Sequence, residues 1–111
     1  MNIPEFQHHI YEVAFSSDIC DIPFVRRISP TSINLRIHLT IGGFIDVFYN
    51  QESNRVAYAL VQEGRRIYGL DNTGGWHVHP FADPTQHLPI TSKMSFSDFV
   101  KEIEKFYQQQ G

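Results

Sequence analysis

Three histidines near the end of the chain have types and spacing that could support catalysis. His77, His79 and His87 fall within eleven residues. On an extended backbone His77 and His79 point to the same side, because side chains alternate between the two faces of a strand. Two neighbouring imidazoles can form an acid/base pair, since histidine titrates near neutral pH. The same nitrogens could chelate a metal with His87 or Asp83, so acid/base, metal-binding and purely structural roles all stay open.

Positive charge is concentrated in the middle of the chain. All six arginines lie between Arg26 and Arg66, a stretch with only three acids, which gives +3 there and -6 elsewhere. A basic stretch on an acidic chain is a hint of a phosphate-binding face, although arginines also decorate exposed strands. The net charge of -3 fits a protein partner better than free RNA.

Several established classes of site are excluded by the motifs. Gly74-Gly75 is not followed by the lysine of a phosphate-binding loop or by the helix of a dinucleotide site. A lone cysteine, Cys20, cannot form an internal disulfide, and we expect it to be a small buried residue. There is no apolar run of membrane-spanning length and no leader-like opening, so we expect a single domain over residues 1–111 in the reducing cytoplasm.

The elements that must position these residues follow from hydrophobic periodicity. Strict alternation from Ile33 to Ile41 predicts a half-buried strand, and helical spacing predicts one helix at each end of the sequence. We therefore expect an α+β fold, a single antiparallel sheet of four to six strands with the N- and C-terminal helices packed on one face. The predicted elements are a helix over 4–15, an edge strand within 19–28, strands over 33–41, 44–49, 55–62 and 65–70, a functional loop over 71–89 and a helix capped by Ser95.

The loop after the first long strand decides which side chains share a face. A three-residue loop with Gly43 in the left-handed bulge position avoids burying Asp46. It pairs Ile37 with Val47 and Leu39 with Ile45. The opposite face then carries Arg36, His38 and Asp46 beside Phe44 and Phe48, with His38 next to Asp46. The strand over 55–62 is apolar on both faces, so we expect it to be central.

The order of these elements resembles the TumE family of prokaryotic toxins, over roughly residues 33–80. The similarity rests on Leu35-Arg36-Ile37-His38-Leu39 leading through Gly42-Gly43 to Phe44-Ile45-Asp46-Val47, on Tyr58-Ala59-Leu60, and on Asp71-Asn72 followed by histidines. It implies a small α+β toxin with site residues at Asp46, Tyr58, Asp71, Asn72, His77 and His79. The chain departs from the family pattern at Gly74-Gly75-Trp76, because family members tend to have histidines sooner after the Asp-Asn pair. RNA as the target follows by analogy with ribonuclease toxins of similar fold.

Together these observations predict a toxin-like protein that cleaves RNA by metal-independent acid/base chemistry, with a cognate antitoxin as partner and no cofactor. The predicted catalytic residues are His77, His79 and Asp71. The predicted substrate-binding residues are Arg36, His38, Asp46, Tyr58, Arg66, Asn72 and Trp76, with the two arginines on phosphate and Tyr58 or Trp76 stacking a base. Two alternatives are an interaction or homodimerisation domain that uses Phe44 and Phe48, and a small metal-binding protein that uses His77, His79 and His87.

Overall fold

Seven antiparallel strands form one sheet in which every strand pairs with its neighbours in sequence. The computed structural model describes residues 1–110. The elements are α1 (Ile3–Phe15), β1 (Phe24–Ile28), β2 (Ser32–His38), β3 (Phe44–Asn50), β4 (Arg55–Gln62), β5 (Arg65–Asp71), β6 (His77–His79), β7 (Leu88–Pro89) and α2 (Phe96–Gln110). The α+β class is confirmed, as is the central position of β4.

The predicted strand count of four to six is wrong, because the segment 71–89 contributes β6 and β7. These strands have three and two residues. Strands that short cannot display an alternating pattern, and the surrounding glycines and prolines mask them further. The segment predicted to be a loop therefore extends the sheet at one edge.

Both helices begin with reciprocal capping contacts. At the start of α1, Asn2 accepts a hydrogen bond from the Glu5 N–H at 2.8 Å, and Glu5 accepts one from the Asn2 N–H at 2.9 Å. At the start of α2, Ser95 and Asp98 make the equivalent pair of bonds, both at 3.1 Å. Each box satisfies two backbone N–H groups that the helix itself leaves unpaired, and the predicted cap at Ser95 is confirmed. Neither helix combines the length and apolar character needed to span a membrane.

Both helices pack on the same face of the sheet, as predicted. The Phe6 ring of α1 stacks on Tyr49 of β3 with centroids 4.4 Å apart. The Phe99 ring of α2 lies 5.4 Å from Tyr58 and 5.1 Å from Tyr68. Strand residues on this side are buried, whereas the opposite side, here called the open face, has no helix over it. The core is therefore a single layer between the helices and the sheet.

The β2–β3 loop has the predicted length but lies one residue earlier than predicted. The Leu39 N–H donates to the Gly43 oxygen at 3.1 Å, and the Gly42 N–H donates to the Leu39 oxygen at 3.0 Å. Gly42, with φ 97°, is thus the third loop residue. The reason is that Leu39 is anchored before the turn by its bridge to Cys20 and is 6% exposed.

This shift changes the predicted cross-strand partners without changing the faces. Asp46 lies opposite Arg36 and not His38, which lies opposite Phe44. Likewise Ile37 pairs with Ile45, not Val47, and Leu35 with Val47. Moving the loop by one residue changes each cross-strand partner by two positions. Every side chain therefore stays on its predicted face, because the strand period is two.

Candidate functional site

The sheet edge brings three histidines together on the open face. In the β5–β6 ladder, His77 lies opposite Asp71 and His79 lies opposite Gly69. The chain then turns back so that β7 pairs with β6, with Pro89 opposite His77. His87 immediately precedes β7, and this return places its ring beside the other two.

The three imidazoles surround a common point. Their ring centroids are 5.1 Å apart for His77 and His79, 5.1 Å for His77 and His87, and 4.4 Å for His79 and His87. One nitrogen of each ring lies within 4.8 Å of the others. In a tetrahedral zinc site with bonds of about 2.0–2.1 Å, ligand nitrogens are about 3.4 Å apart and ring centres about 5.2 Å apart. The ring centres thus already have nearly the spacing of a metal site, and the nitrogens would have to approach one another by up to about 1.4 Å to bind one ion.

Two of the rings are oriented by backbone carbonyls. Nδ1 of His77 lies 3.1 Å from the Gly75 oxygen, and Nδ1 of His79 lies 3.0 Å from the Gln86 oxygen. A carbonyl oxygen only accepts hydrogen bonds, so each Nδ1 carries the proton in the neutral ring. Nε2 is then left with a free lone pair. Metal-bound histidines are held in the same way, through the nitrogen that does not bind the metal.

Burial favours the neutral form of the central imidazole. His79 is 4% exposed, and the pKa of its ring is lowered by burial and then by the positive charges of Arg66 and His87. Asp71 behaves differently. Burial alone would raise the pKa of its carboxyl, but hydrogen bonds from Thr73 and the charges of Arg55 and His77 outweigh burial and lower the pKa. The site therefore combines a central imidazole that favours the neutral form, that of His79, with a carboxylate at its margin that favours the ionised form, that of Asp71.

Arg66 lies beside His79 at the cluster. Its Cδ lies 3.3 Å from the position that a Cβ atom on Gly69 would occupy, and the Cδ2 of His79 lies 3.1 Å from the same position. The Arg66 guanidinium donates to the Pro84 oxygen at 3.1 Å. Within residues 1–110 it forms no ion pair. An exposed, unpaired guanidinium beside the histidines can bind an anionic group.

The other predicted polar residues of the open face pair with one another. Arg36 binds the two carboxylate oxygens of Asp46 at 3.0 and 3.3 Å, and its guanidinium lies 3.7 Å from the centre of the Phe44 ring. Arg55 lies similarly over Phe48 at 5.4 Å. The two aromatic rings are therefore partly covered by arginines, and Arg36 is already paired with a carboxylate.

A strip of small residues separates the Arg36–Asp46 pair from the histidines. Along one rung of the sheet, Asp46 lies opposite Ala59, Ala59 opposite Gly69, and Gly69 opposite His79. On the next rung Ala57 lies opposite Asp71. The space over Gly69 is taken by the His79 ring and the Arg66 side chain, so these two groups lie directly on the strip.

Four of the ten predicted site residues come together: His77, His79, Asp71 and Arg66. Tyr58, predicted to stack a base, lies on the helix side with 6% exposure and so is not beside the open-face residues. Asn72 binds backbone instead, accepting from the Val56 N–H and donating to the Asn54 oxygen, both at 2.8 Å. Trp76 faces a separate cavity. His38 stacks on Phe24 at 5.6 Å, and Arg36 and Asp46 pair with each other.

His87 entered the sequence-based interpretation only as the third ligand of an alternative metal site. A sequence signal that could have predicted the position of His87 is the turn-rich stretch Pro80 to Gln86, since a turn there returns the chain towards β6. No family model, curated protein or solved structure matches the chain, so the site rests on its own geometry.

Proposed function

We propose that His77, His79 and His87 bind one divalent transition metal and that the protein works through this metal. The observation that carries the proposal is the arrangement of the three rings, with centroids 4.4 to 5.1 Å apart and two Nδ1 atoms held by carbonyls. Three imidazoles suit zinc, copper or nickel. Zinc with three protein ligands keeps a fourth position for water, whose pKa it lowers to about 7.

The same geometry favours a metal over the metal-independent acid/base pair. An acid/base pair needs one imidazole in its protonated form, and it needs only His77 and His79. Protonating His79 would place a positive charge beside Arg66 and two further imidazoles. A metal needs all three rings neutral and uses His87 as well, so it accounts for the convergence of all three.

Metal content of the purified chain tests this proposal. We expect about one zinc per chain by elemental analysis after purification without chelators, and a large loss of zinc in His77→Ala, His79→Ala and His87→Ala. His38→Ala is the matched control, because His38 is an exposed histidine of the same sheet face outside the cluster. A protein that is metal-free and shows no thermal shift with added zinc, cobalt, nickel or copper would rule the proposal out.

Toxin-like cleavage of RNA is a second candidate, and Arg66 is the observation that favours it. The Arg66 guanidinium, which has no ion-pair partner within residues 1–110, could bind the phosphate that a metal-bound water would attack. A cognate antitoxin would then be the natural partner.

Growth arrest on induced expression separates the two chemistries. If RNA is cleaved by a metal-bound water, His87→Ala should lose toxicity as completely as His79→Ala does. If His77 and His79 act as an acid/base pair, His87→Ala should keep most of the toxicity. Full toxicity in the His77→Ala/His79→Ala double variant would remove both mechanisms.

A further inference from the structure

A second cavity lies on the helix side of the sheet, between the starts of α1 and α2. Its volume is about 510 Å³. Five aromatic side chains line it, together with Lys93: Phe6, Tyr49, Tyr58, Trp76 and Phe96. Small-molecule sites in proteins have volumes of about 300–1,000 Å³ and are mostly apolar and aromatic, with a few placed polar groups. This cavity has both the size and the composition of such a site.

The Tyr58 side chain is the feature that identifies this cavity as a ligand site. Its side chain is 6% exposed, yet its hydroxyl forms no hydrogen bond with any residue in 1–110. Within residues 1–110, the one fully enclosed side-chain polar atom without a hydrogen-bond partner is the Tyr107 hydroxyl. The Tyr58 hydroxyl, which also has no partner, is therefore not fully enclosed. Buried tyrosine hydroxyls normally find a partner. The Tyr58 hydroxyl is therefore free to donate to a molecule in the cavity.

The charges around the cavity select the kind of ligand. Lys93 and His9 line it, and no aspartate or glutamate does. The Tyr49 hydroxyl is already engaged, since it donates to the Met1 carbonyl. The lining thus offers the Tyr58 hydroxyl as a donor together with two basic side chains, Lys93 and His9, between aromatic walls. A flat ring carrying an anionic substituent matches this set.

We propose that this cavity binds a planar aromatic anion, with the ring between the aromatic side chains, an acceptor facing the Tyr58 hydroxyl and the negative charge near Lys93. The site is separate from the histidine cluster, because Trp76 and Tyr58 face the helix side whereas His77 and His79 face the open side. It does not depend on the metal proposal.

Tryptophan fluorescence can test the proposal directly, because Trp76 is the only tryptophan in the chain. The probe is benzoate, titrated into the purified full chain, with ligand-observed NMR as a second readout. Benzamide lacks the charge, and cyclohexanecarboxylate lacks the flat ring. We expect saturable binding of benzoate that is tighter than binding of either comparison compound.

Two variants assign the contacts. Tyr58→Phe keeps the ring and removes the hydroxyl, so benzoate should bind about three- to tenfold more weakly. Lys93→Gln should remove the preference for benzoate over benzamide, whereas Lys105→Gln on the exposed part of α2 should not. His79→Ala should leave benzoate binding unchanged, which separates this site from the metal site. Circular dichroism establishes that each variant is folded.

Several results would overturn the proposal. One is the absence of saturable benzoate binding at millimolar concentration. Another is equal affinity for benzoate and cyclohexanecarboxylate. A folded Tyr58→Phe variant with unchanged benzoate affinity would also refute it, because the buried hydroxyl would then have no role in binding.

Discussion

Gly69 and His79 lie directly opposite each other in the β5–β6 ladder, and a Cβ atom on Gly69 would come within 3.1 Å of the His79 ring. The same atom would lie 3.3 Å from the Arg66 side chain. Contacts this short force the neighbouring group to move. The missing side chain at position 69 is therefore what allows His79 and Arg66 to lie over the same point of the sheet.

Replacing this glycine should weaken metal binding without unfolding the protein. In Gly69→Ala the new methyl group displaces the His79 ring from its present position, and we expect zinc affinity to fall about tenfold, the size of effect seen for groups that orient metal ligands. Competition with a chromogenic chelator measures the affinity. An unchanged affinity in a folded Gly69→Ala variant would show that the His79 ring position does not limit binding.

The cap of α2 should contribute to stability in a defined pH range. Hydrogen bonds from the Ser95 backbone and side chain lower the pKa of Asp98 below its ordinary 3.8. A lowered pKa in the folded state means that the unfolded chain binds the proton more readily. The contribution is therefore complete above about pH 4 and is lost as the pH falls through the lowered pKa.

Asp98→Asn tests this pH dependence. The variant should show a smaller loss of unfolding free energy between pH 4 and pH 2 than the parent chain, measured by urea titration at each pH. Asp18→Asn is the matched control, since Asp18 is an exposed carboxylate outside any helix or strand. Identical acid sensitivity in the parent and Asp98→Asn would contradict the prediction.

The Arg36–Asp46 pair should stabilise the sheet only modestly. Its side chains are 21% and 35% exposed, so water screens much of the attraction. We expect a coupling free energy of about 0.5–1 kcal/mol from a double-mutant cycle of Arg36→Ala and Asp46→Ala, read from urea unfolding. The cycle cancels the separate contact of Arg36 with Phe44. A coupling well above 2 kcal/mol would mean that the pair is better shielded than its exposure indicates.

Cys20 should react slowly with alkylating reagents. Burial raises the pKa of its thiol, the charge of Glu104 raises it further, and a hydrogen bond with Ser17 offsets part of this. Little of the reactive thiolate is then present at neutral pH. We expect iodoacetamide to modify the native protein at least about tenfold more slowly than the urea-unfolded chain, as followed by mass spectrometry. Equal rates would contradict this.

The long elements could be predicted because their patterns extend over many residues. Alternation in β2 and β3 identified the buried face, and the two apolar faces of β4 identified the centre of the sheet. The capping residues Ser95 and Asp98 located the start of α2. In each case a local rule and the final packing demand the same residue types, so sequence and structure agree.

The histidine cluster could be predicted only in part, because it depends on pairings between short segments. The spacing of His77 and His79 is a local feature, whereas the arrival of His87 depends on the two-residue strand β7. The predicted cross-strand partner of Asp46, His38, was wrong because the adjacent glycines Gly42 and Gly43 can each occupy the left-handed position of the loop. The anchor on Leu39 that decides between them comes from a distant segment, at Cys20.

The strictly sequential order of the strands has a consequence for how the chain folds. Each new strand adds to the one before it, so the sheet can grow hairpin by hairpin with little loop-closure entropy at any step. The contact between α1 and α2 is different, because it joins the two ends of the chain. We expect docking of the terminal helices to be the slow step of folding, and until it occurs the aromatic face of the sheet is exposed to aggregation.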